Sequence, residues 1–250
     1  MVAIHRPERG NALDGATIDA LLDVVGDLAS DPGEVRAVVL RGEGRHFCTG
    51  ADIGGGGDGG ARASIGHIAR GLATGPHLLV QRLWECRLPV VVELTGRTSG
   101  LGLHVALTGD WTVAGESATF AEPFSDRGFN VDSGGSWLLP RLVGLTRAKR
   151  MLYTAEVVDA ATAVEWGLVS QVVADVDVEA EALAVAERLA GRPTFSLGAT
   201  KGLLHRHLDG DLAGALEDEA AAIELTVRSD DFKEGMRAFA EKRSPRFTGR

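Results

Sequence analysis

Cysteine is scarce. Cys48 and Cys86 are the only two in 250 residues, and they offer neither a disulfide framework nor a metal-ligand spacing. A reducing, cytoplasmic compartment is expected, and no metal is. Long apolar runs are missing too: nothing approaches the ~20 residues of a membrane-spanning helix. Met1 to Pro7 carry no signal-peptide pattern. Val2-Ala3-Ile4 instead read as the end of a strand whose upstream half is missing. Positive charge is in short supply. Lys and Arg number 26 against 35 Asp and Glu, a net charge of −9, which argues against nucleic acid or an anionic membrane as partner. Arg6, Arg9 and Lys242-Arg243 remain as local basic spots that could meet a phosphate-bearing ligand.

Several motifs are started and not finished. The glycine run Gly54–Gly60 lacks the Gly-Lys-Ser/Thr ending that reaches phosphates and magnesium, so it reads as a flexible connection. Gly100-Leu101-Gly102 could open a dinucleotide fingerprint, but Val105 stands where the third glycine belongs. Ser99 is not in a nucleophile elbow, because Arg97 replaces the first glycine. No internal repeat is present. With 44% hydrophobic residues, the chain is an ordinary soluble globular protein able to bury a full core.

What is there is an alternation. Ile18, Leu21, Leu22, Val25 and Leu28 sit at helical spacing behind a candidate cap, Asp14. Asp31-Pro32-Gly33 breaks the chain, and Val35–Leu40 reads as a buried strand. Ser64–Cys86 is mostly helical with an interruption near Gly75-Pro76. Val90–Leu94 and Trp111–Ala114 read as strands, with a helix over Leu101–Thr108 between them. Strand and helix at this spacing give an α/β architecture with crossover connections. From Glu179 onward the pattern is helical: Glu179–Gly191, Phe195–His207, Leu212–Arg228 and Asp231–Lys242. Their apolar faces exceed what a short tail buries alone, so oligomer contacts are expected. The expected division is an α/β core over 1–190 and a helical region over 191–250.

Two glycine-containing bends stand out, each after an apolar strand. One is Arg45-His46-Phe47-Cys48-Thr49-Gly50-Ala51-Asp52-Ile53, and the other Ser99-Gly100-Leu101-Gly102-Leu103. Such bends expose backbone N–H groups unused by strand or helix. Two of them aimed at one point would hold an oxygen anion.

These segments resemble the crotonase family, which comprises the enoyl-CoA hydratases and isomerases. So do Arg6-Pro7-Glu8-Arg9-Gly10-Asn11-Ala12-Leu13, Val131-Asp132-Ser133-Gly134-Gly135, Pro140–Gly144, Ala160–Val169 and Phe232–Phe247. The resemblance covers almost the whole chain in order. It implies a spiral core of ββα turns and a helical trimerisation region, assembled as a trimer or a dimer of trimers. It implies an acyl-CoA thioester as substrate and no further cofactor. The thioester oxygen would accept from the N–H groups of Ala51 and Leu101. Losing one such donor in comparable sites costs ~3 kcal/mol.

The chain departs from the family at three places. Leu101 stands where Gly or Ala is usual, adding bulk beside the acyl pocket. The two hydratase glutamates fall at His104 and Phe124. Phenylalanine moves no proton, and acid–base assistance is worth ~10²–10⁴ in rate, so ordinary hydration is not expected. Asp132 lies where family isomerases, including the ring-opening type acting on phenylacetyl-CoA-derived epoxides, carry a catalytic aspartate. Its alternative role is to cap a helix opening at Ser133. His104 could relay a proton, bond Asp132 or a backbone carbonyl, or simply pack in its helix.

The resemblance also places Asp52, Ile53, Gly100, Phe124 and Trp137 at the acyl group, and Arg6, Arg9, Ala12 and Lys242 at coenzyme A. Glu122, before Pro123, is read as pointing outward, with a catalytic part as the alternative. His205 and His207 are read as surface residues, and Cys48 as a small packing residue. Three activities stay open. The first is a double-bond shift or rearrangement with Asp132 as base. The others are a hydratase using non-standard residues and an acyl-CoA binder that turns nothing over.

Overall fold

Runs of valine, leucine and isoleucine set the central sheet. The computed structural model describes residues 1–52 and 66–250. Ile53, the glycine run Gly54–Gly60 and the start of the helical stretch at Ser64 lie outside them. The N-terminal elements are β1 (Val2–Ile4), α1 (Gly15–Ser30), β2 (Val38–Gly42), α2 (His67–Thr74) and α3 (Pro76–Trp84). The middle of the chain holds β3 (Val90–Leu94), β4 (Arg97–Ser99), α4 (Leu101–Ala106), β5 (Trp111–Gly115) and β6 (Thr119–Ala121). Next come α5 (Gly135–Val143), α6 (Leu145–Thr154), β7 (Val158–Asp159), α7 (Ala160–Glu165) and β8 (Gln171–Val173). The chain closes with α8 (Val178–Ala190), α9 (Thr194–Arg206), α10 (Leu212–Thr226) and α11 (Asp230–Ala240).

Strands β1, β2, β3, β5 and β8 form one parallel sheet in that order. A sheet with crossover helices is buried on both faces, and the register shows it. Val38, Leu40, Val90 and Val92 face one core with Leu21 of α1 and Leu79 of α3. Their neighbours Val39, Val91 and Val113 face a second core with Val178, Ala182 and Val185 of α8. A smaller sheet, β4-β6-β7, stands beside the first. Each of β3 and β5 leaves the large sheet and continues, across a bend, into a strand of the small one. The α4 helix follows β4 and returns the chain to β5 of the large sheet, giving the expected α/β spiral with helices following it.

The helix over α1 is capped as expected: Asp14 Oδ1 accepts from Thr17 N at 2.8 Å. The break expected near Gly75-Pro76 separates α2 from α3. One boundary moves. β2 opens at Val38 rather than Val35, because its neighbour β3 begins opposite Val38, at Val90. Upstream, Val35 N still donates to Pro32 O within the preceding turn. Among the described residues no helix is long and apolar enough to cross a membrane. No group of three His, Cys, Asp or Glu that could hold a metal occurs among them either.

Asn11 ties the first bend to the N-terminal segment. It has no exposed surface and a φ of 57°, a conformation asparagine tolerates better than most residues. Its Oδ1 accepts from Arg6 N at 2.9 Å, and its Nδ2 donates to Glu43 O at 2.9 Å and His46 O at 2.6 Å. Asn11→Ala leaves these backbone groups unpaired. The expected loss is about 2–4 kcal/mol of unfolding free energy, since each orphaned buried group costs about 1–3 kcal/mol. Urea denaturation followed by circular dichroism reads it directly. A midpoint equal to that of the parent chain would show that water replaces all three bonds.

Exposed apolar side chains gather on the last three helices: Leu204 on α9, Leu212, Leu216, Ile223 and Leu225 on α10, Met236 and Phe239 on α11.

Candidate functional site

The bend after β2 and the bend after β4 lie side by side. Cys48 N donates to Arg97 O at 3.3 Å and Ser99 N to Cys48 O at 3.0 Å. Farther along, Leu13 N donates to Gly50 O at 2.8 Å and Asp52 N to Leu13 O at 2.9 Å. Ala51 N–H lies between these bonds and has no acceptor among the described residues. On the facing bend, Gly100 N donates to Ala121 O and His104 N to Gly100 O, both at 3.0 Å. Leu101 N–H opens α4 and falls among the helix-start donors that no intrahelical carbonyl satisfies. The bends touch: a Cβ on Gly50 would lie 3.1 Å from Ser99 O and 4.0 Å from Leu101 N. The turn into α4 depends on Gly100, whose φ of 51° and ψ of −125° suit only a residue without a Cβ.

A cavity of about 340 Å³ opens at these bends, lined by Glu8, Arg9, Ala12, Thr49, Ala51, Asp52, Arg97, Ser99, Pro123 and Arg127. Of the residues expected at coenzyme A, Arg9 and Ala12 line it. Arg6 is turned to other work: its Nη2 meets Asp14 Oδ2 at 3.1 Å and Asp52 Oδ2 at 3.0 Å, and its Nη1 donates to Ala12 O. Asp52 also meets Arg9 Nη2 at 3.4 Å, so within the chain it organises these two arginines. Lys242 follows α11, exposed, and lines no part of this cavity in its own chain. Arg97 and Arg127 bring two further positive charges, neither of them expected at coenzyme A. The packing of β4 against the bend after β2 brings Arg97 beside Arg9, and the turn after Phe124 brings Arg127.

Cys48 is buried beneath α4, with no exposed surface. Burial pushes its thiol up to about 12, so it is the packing residue expected and no thiolate nucleophile at neutral pH.

Behind Gly100 the environment turns apolar. Phe124 is buried, and its ring edge lies 4.0 Å from where a Gly100 Cβ would stand. Its face stacks on His104, centroids 5.7 Å apart and planes 3° from parallel. His104 does not bond Asp132. Its Nε2 lies 3.1 Å from Oε1 of Glu122, and neither residue has any exposed surface. The outward reading of Glu122 is therefore corrected: after the strand end at Ala121 it turns inward, against His104. No local pattern marks this, because the partner is 18 residues away in sequence.

Asp132 is half-buried, and its carboxylate has no hydrogen bond or ion pair among the described residues. The capping role is corrected as well. The helix opens at Gly135 rather than Ser133, its cap is Gly134, and no side chain caps it. Asp132 contributes only its carbonyl, which accepts from Gly135 N at 3.0 Å. The turn is tight, with Ser133 buried at a φ of 45°. Gly135 in turn packs on His104, which lies one helical turn along α4 from Leu101.

Trp137 is partly buried and sits edge-on to Trp84 at 5.2 Å between centroids, with the Arg141 guanidinium 4.0 Å from its own. His205 stacks on Trp84 at 3.5 Å, so it is not the plain surface residue expected. His207 lies 3.2 Å from Asp218.

Comparison with known proteins bears on this arrangement as a whole. A profile described as Enoyl-CoA hydratase/isomerase matches residues 1–250. A Rhodobacter capsulatus protein named "Probable enoyl-CoA hydratase" is 38% identical over 250 residues, covering 100% of this chain and 94% of its own. The 1,2-epoxyphenylacetyl-CoA isomerase of Escherichia coli is 34% identical over 261 residues, again 100% and 94%. The crystal structure of an enoyl-CoA hydratase from Mycobacterium smegmatis superposes with a TM-score of 0.90 at 30% identity, covering 98% of this chain and 93% of that one. Matches of this extent, on a chain whose two glycine bends meet behind a parallel sheet, establish that the protein belongs to the enoyl-CoA hydratase/isomerase family of acyl-CoA enzymes, the crotonases.

Proposed function

We infer that the chain is an acyl-CoA isomerase that moves a double bond, or rearranges the acyl group, through a thioester enolate. The carrying observation is the Asp132 carboxylate, unpaired and half-buried on a tight turn that packs against His104. A carboxylate without an ion pair is free to take a proton and give it back. On a 3-enoyl-CoA, Asp132 removes a proton from C2 and the electron pair moves toward the carbonyl. The charge then rests on the thioester oxygen, which accepts from Ala51 N–H and Leu101 N–H. Such fixed donors stabilise it without reorganising. Returning the proton at C4 completes a 2-enoyl-CoA, with atoms and charge balanced. His104, buried behind the Asp132 turn, is kept as the second proton-transfer group.

Support comes also from what replaces the hydratase carboxylates, His104 and Phe124, and from the name of the E. coli relative. Arg9, Arg97 and Arg127 supply the positive rim for the coenzyme's phosphates, with Arg6 acting through Asp52. Gly100 and Phe124, with Ile53 outside the described residues, border the acyl group, and Trp137 stands farther along α5. The exposed apolar faces of α9, α10 and α11 favour a homotrimer or a dimer of trimers, with Lys242 reaching a neighbouring subunit's ligand. The second reading is hydration, favoured by the name of the R. capsulatus relative and by the buried carboxylate of Glu122.

Parallel assays separate the two. A 3-enoyl-CoA is expected to be converted to the 2-enoyl isomer. Hydration of a 2-enoyl-CoA is expected to be slower by about 10²-fold or more, the worth of the missing acid–base assistance. Rapid hydration would install the second reading. Tight acyl-CoA binding with neither reaction would leave a silent binder.

A further inference from the structure

The least comfortable feature of the molecule is the pair His104–Glu122. Both side chains have no exposed surface and are 3.1 Å apart, while His104 Nδ1 and Glu122 Oε2 find no partner among the described residues. A buried ionisable pair is a poor way to gain stability, because desolvation offsets the attraction and an apolar pair of similar volume often does as well. Half-satisfied polar groups worsen the balance. Something other than stability keeps the pair in place.

The geometry points to position. Glu122 leaves the same strand end, Ala121, whose carbonyl holds Gly100 N at 3.0 Å. Its carboxylate therefore moves with the bend that aims Leu101 N–H. The same edge of the imidazole also meets α5, so closely that a Cβ on Gly135 would stand 2.2 Å from Nε2 and 2.6 Å from Cε1. Gly135 N is bonded to Asp132 O. The ring is thus wedged between Glu122, Phe124 and the backbone of the turn that presents Asp132. An imidazole can flip and can carry its neutral proton on either nitrogen. An acceptor fixed at Nε2 selects one flip state and one tautomer, with Nε2–H donating.

We propose that Glu122 is a positioning residue: by holding His104 in one orientation and tautomer, it keeps the Asp132 turn in register with the two main-chain donors. This rests on the reading of Asp132 as the base. Its test is built so that either can fail alone. In ¹⁵N-histidine-labelled protein, with His104→Gln to assign the signal, His104 is expected to show a single ring arrangement, with the N–H on the nitrogen that faces Glu122. Glu122→Ala is expected to change that pattern and to lower kcat for 3-enoyl-CoA isomerisation by about 10–100-fold, the usual effect of removing a group that orients a working side chain. KM is expected to stay within a factor of two. Glu122→Gln keeps an oxygen able to accept from Nε2–H and is expected to restore most of the rate.

A Glu122→Ala protein with the parent's His104 signals and kcat overturns the proposal. So does a rate loss that merely follows the folded fraction and that Glu122→Gln fails to rescue. If Asp132→Asn leaves isomerisation intact, the base assignment falls, while the His104 signals still decide whether Glu122 orients the ring.

Discussion

Asp132→Asn is expected to slow 3-enoyl-CoA isomerisation by about 10²- to 10⁴-fold, the range supplied by a positioned proton-transfer group. The substitution is nearly isosteric. Because the carboxylate holds no ion pair and caps no helix, its loss breaks no contact of the folded chain. The melting temperature should stay close to that of the parent, and calorimetric affinity for an acyl-CoA should change only a few-fold. That combination separates a chemical role from a structural one. A variant that keeps more than a tenth of the parent kcat would remove Asp132 from the reaction.

The second large effect is expected at Gly102, which has no side chain to offer a substrate. A Cβ there would stand 2.5 Å from Cys48 O and 2.7 Å from Cys48 Sγ. The obstacle includes backbone, so it cannot swing aside as a flexible side chain would. Gly102→Ala must push α4 away from the strand end that carries Ala51. Leu101 N–H then leaves the point the two bends share. Removing one donor of this kind costs about 10²–10³ in kcat, and a loss of that size is expected for isomerisation. The same variant should exchange the solvent-isolated α4 amides faster in hydrogen–deuterium exchange, reporting the displaced helix. Full activity in the variant would mean that the reaction does not need both amides.

Much of the frame was legible because it rests on local chemistry. Asp14 sits before a helical period and caps it. Gly75-Pro76 interrupts a helical stretch, and the chain breaks there. Val90–Leu94 is a short apolar run after a proline, and it is the central strand. The four late helices were within a residue or two of their observed ends because their apolar spacing is long and regular. Strands β4, β6, β7 and β8 were not read: two or three residues each carry too little pattern, and they exist through pairing across the chain. The site divides along the same line. Ala51 and Leu101 could be named from their bends. Glu122 could not be oriented, because its direction is set by His104, 18 residues away. Arg97 and Arg127 escaped for a similar reason, since proximity to Arg9 arises only when distant segments of the chain meet at the two bends.

The ring of Phe124 has a consequence for where an intermediate can go. The enolate can only recover a proton, but the conjugated product it leaves is open to attack by water. Capture requires a water molecule tethered at the third carbon. A flat hydrocarbon face packed over the imidazole gives that water nothing to hold. On the isomerase reading, product choice is then made by refusing a competitor admission, and the enzyme needs no faster proton transfer to win.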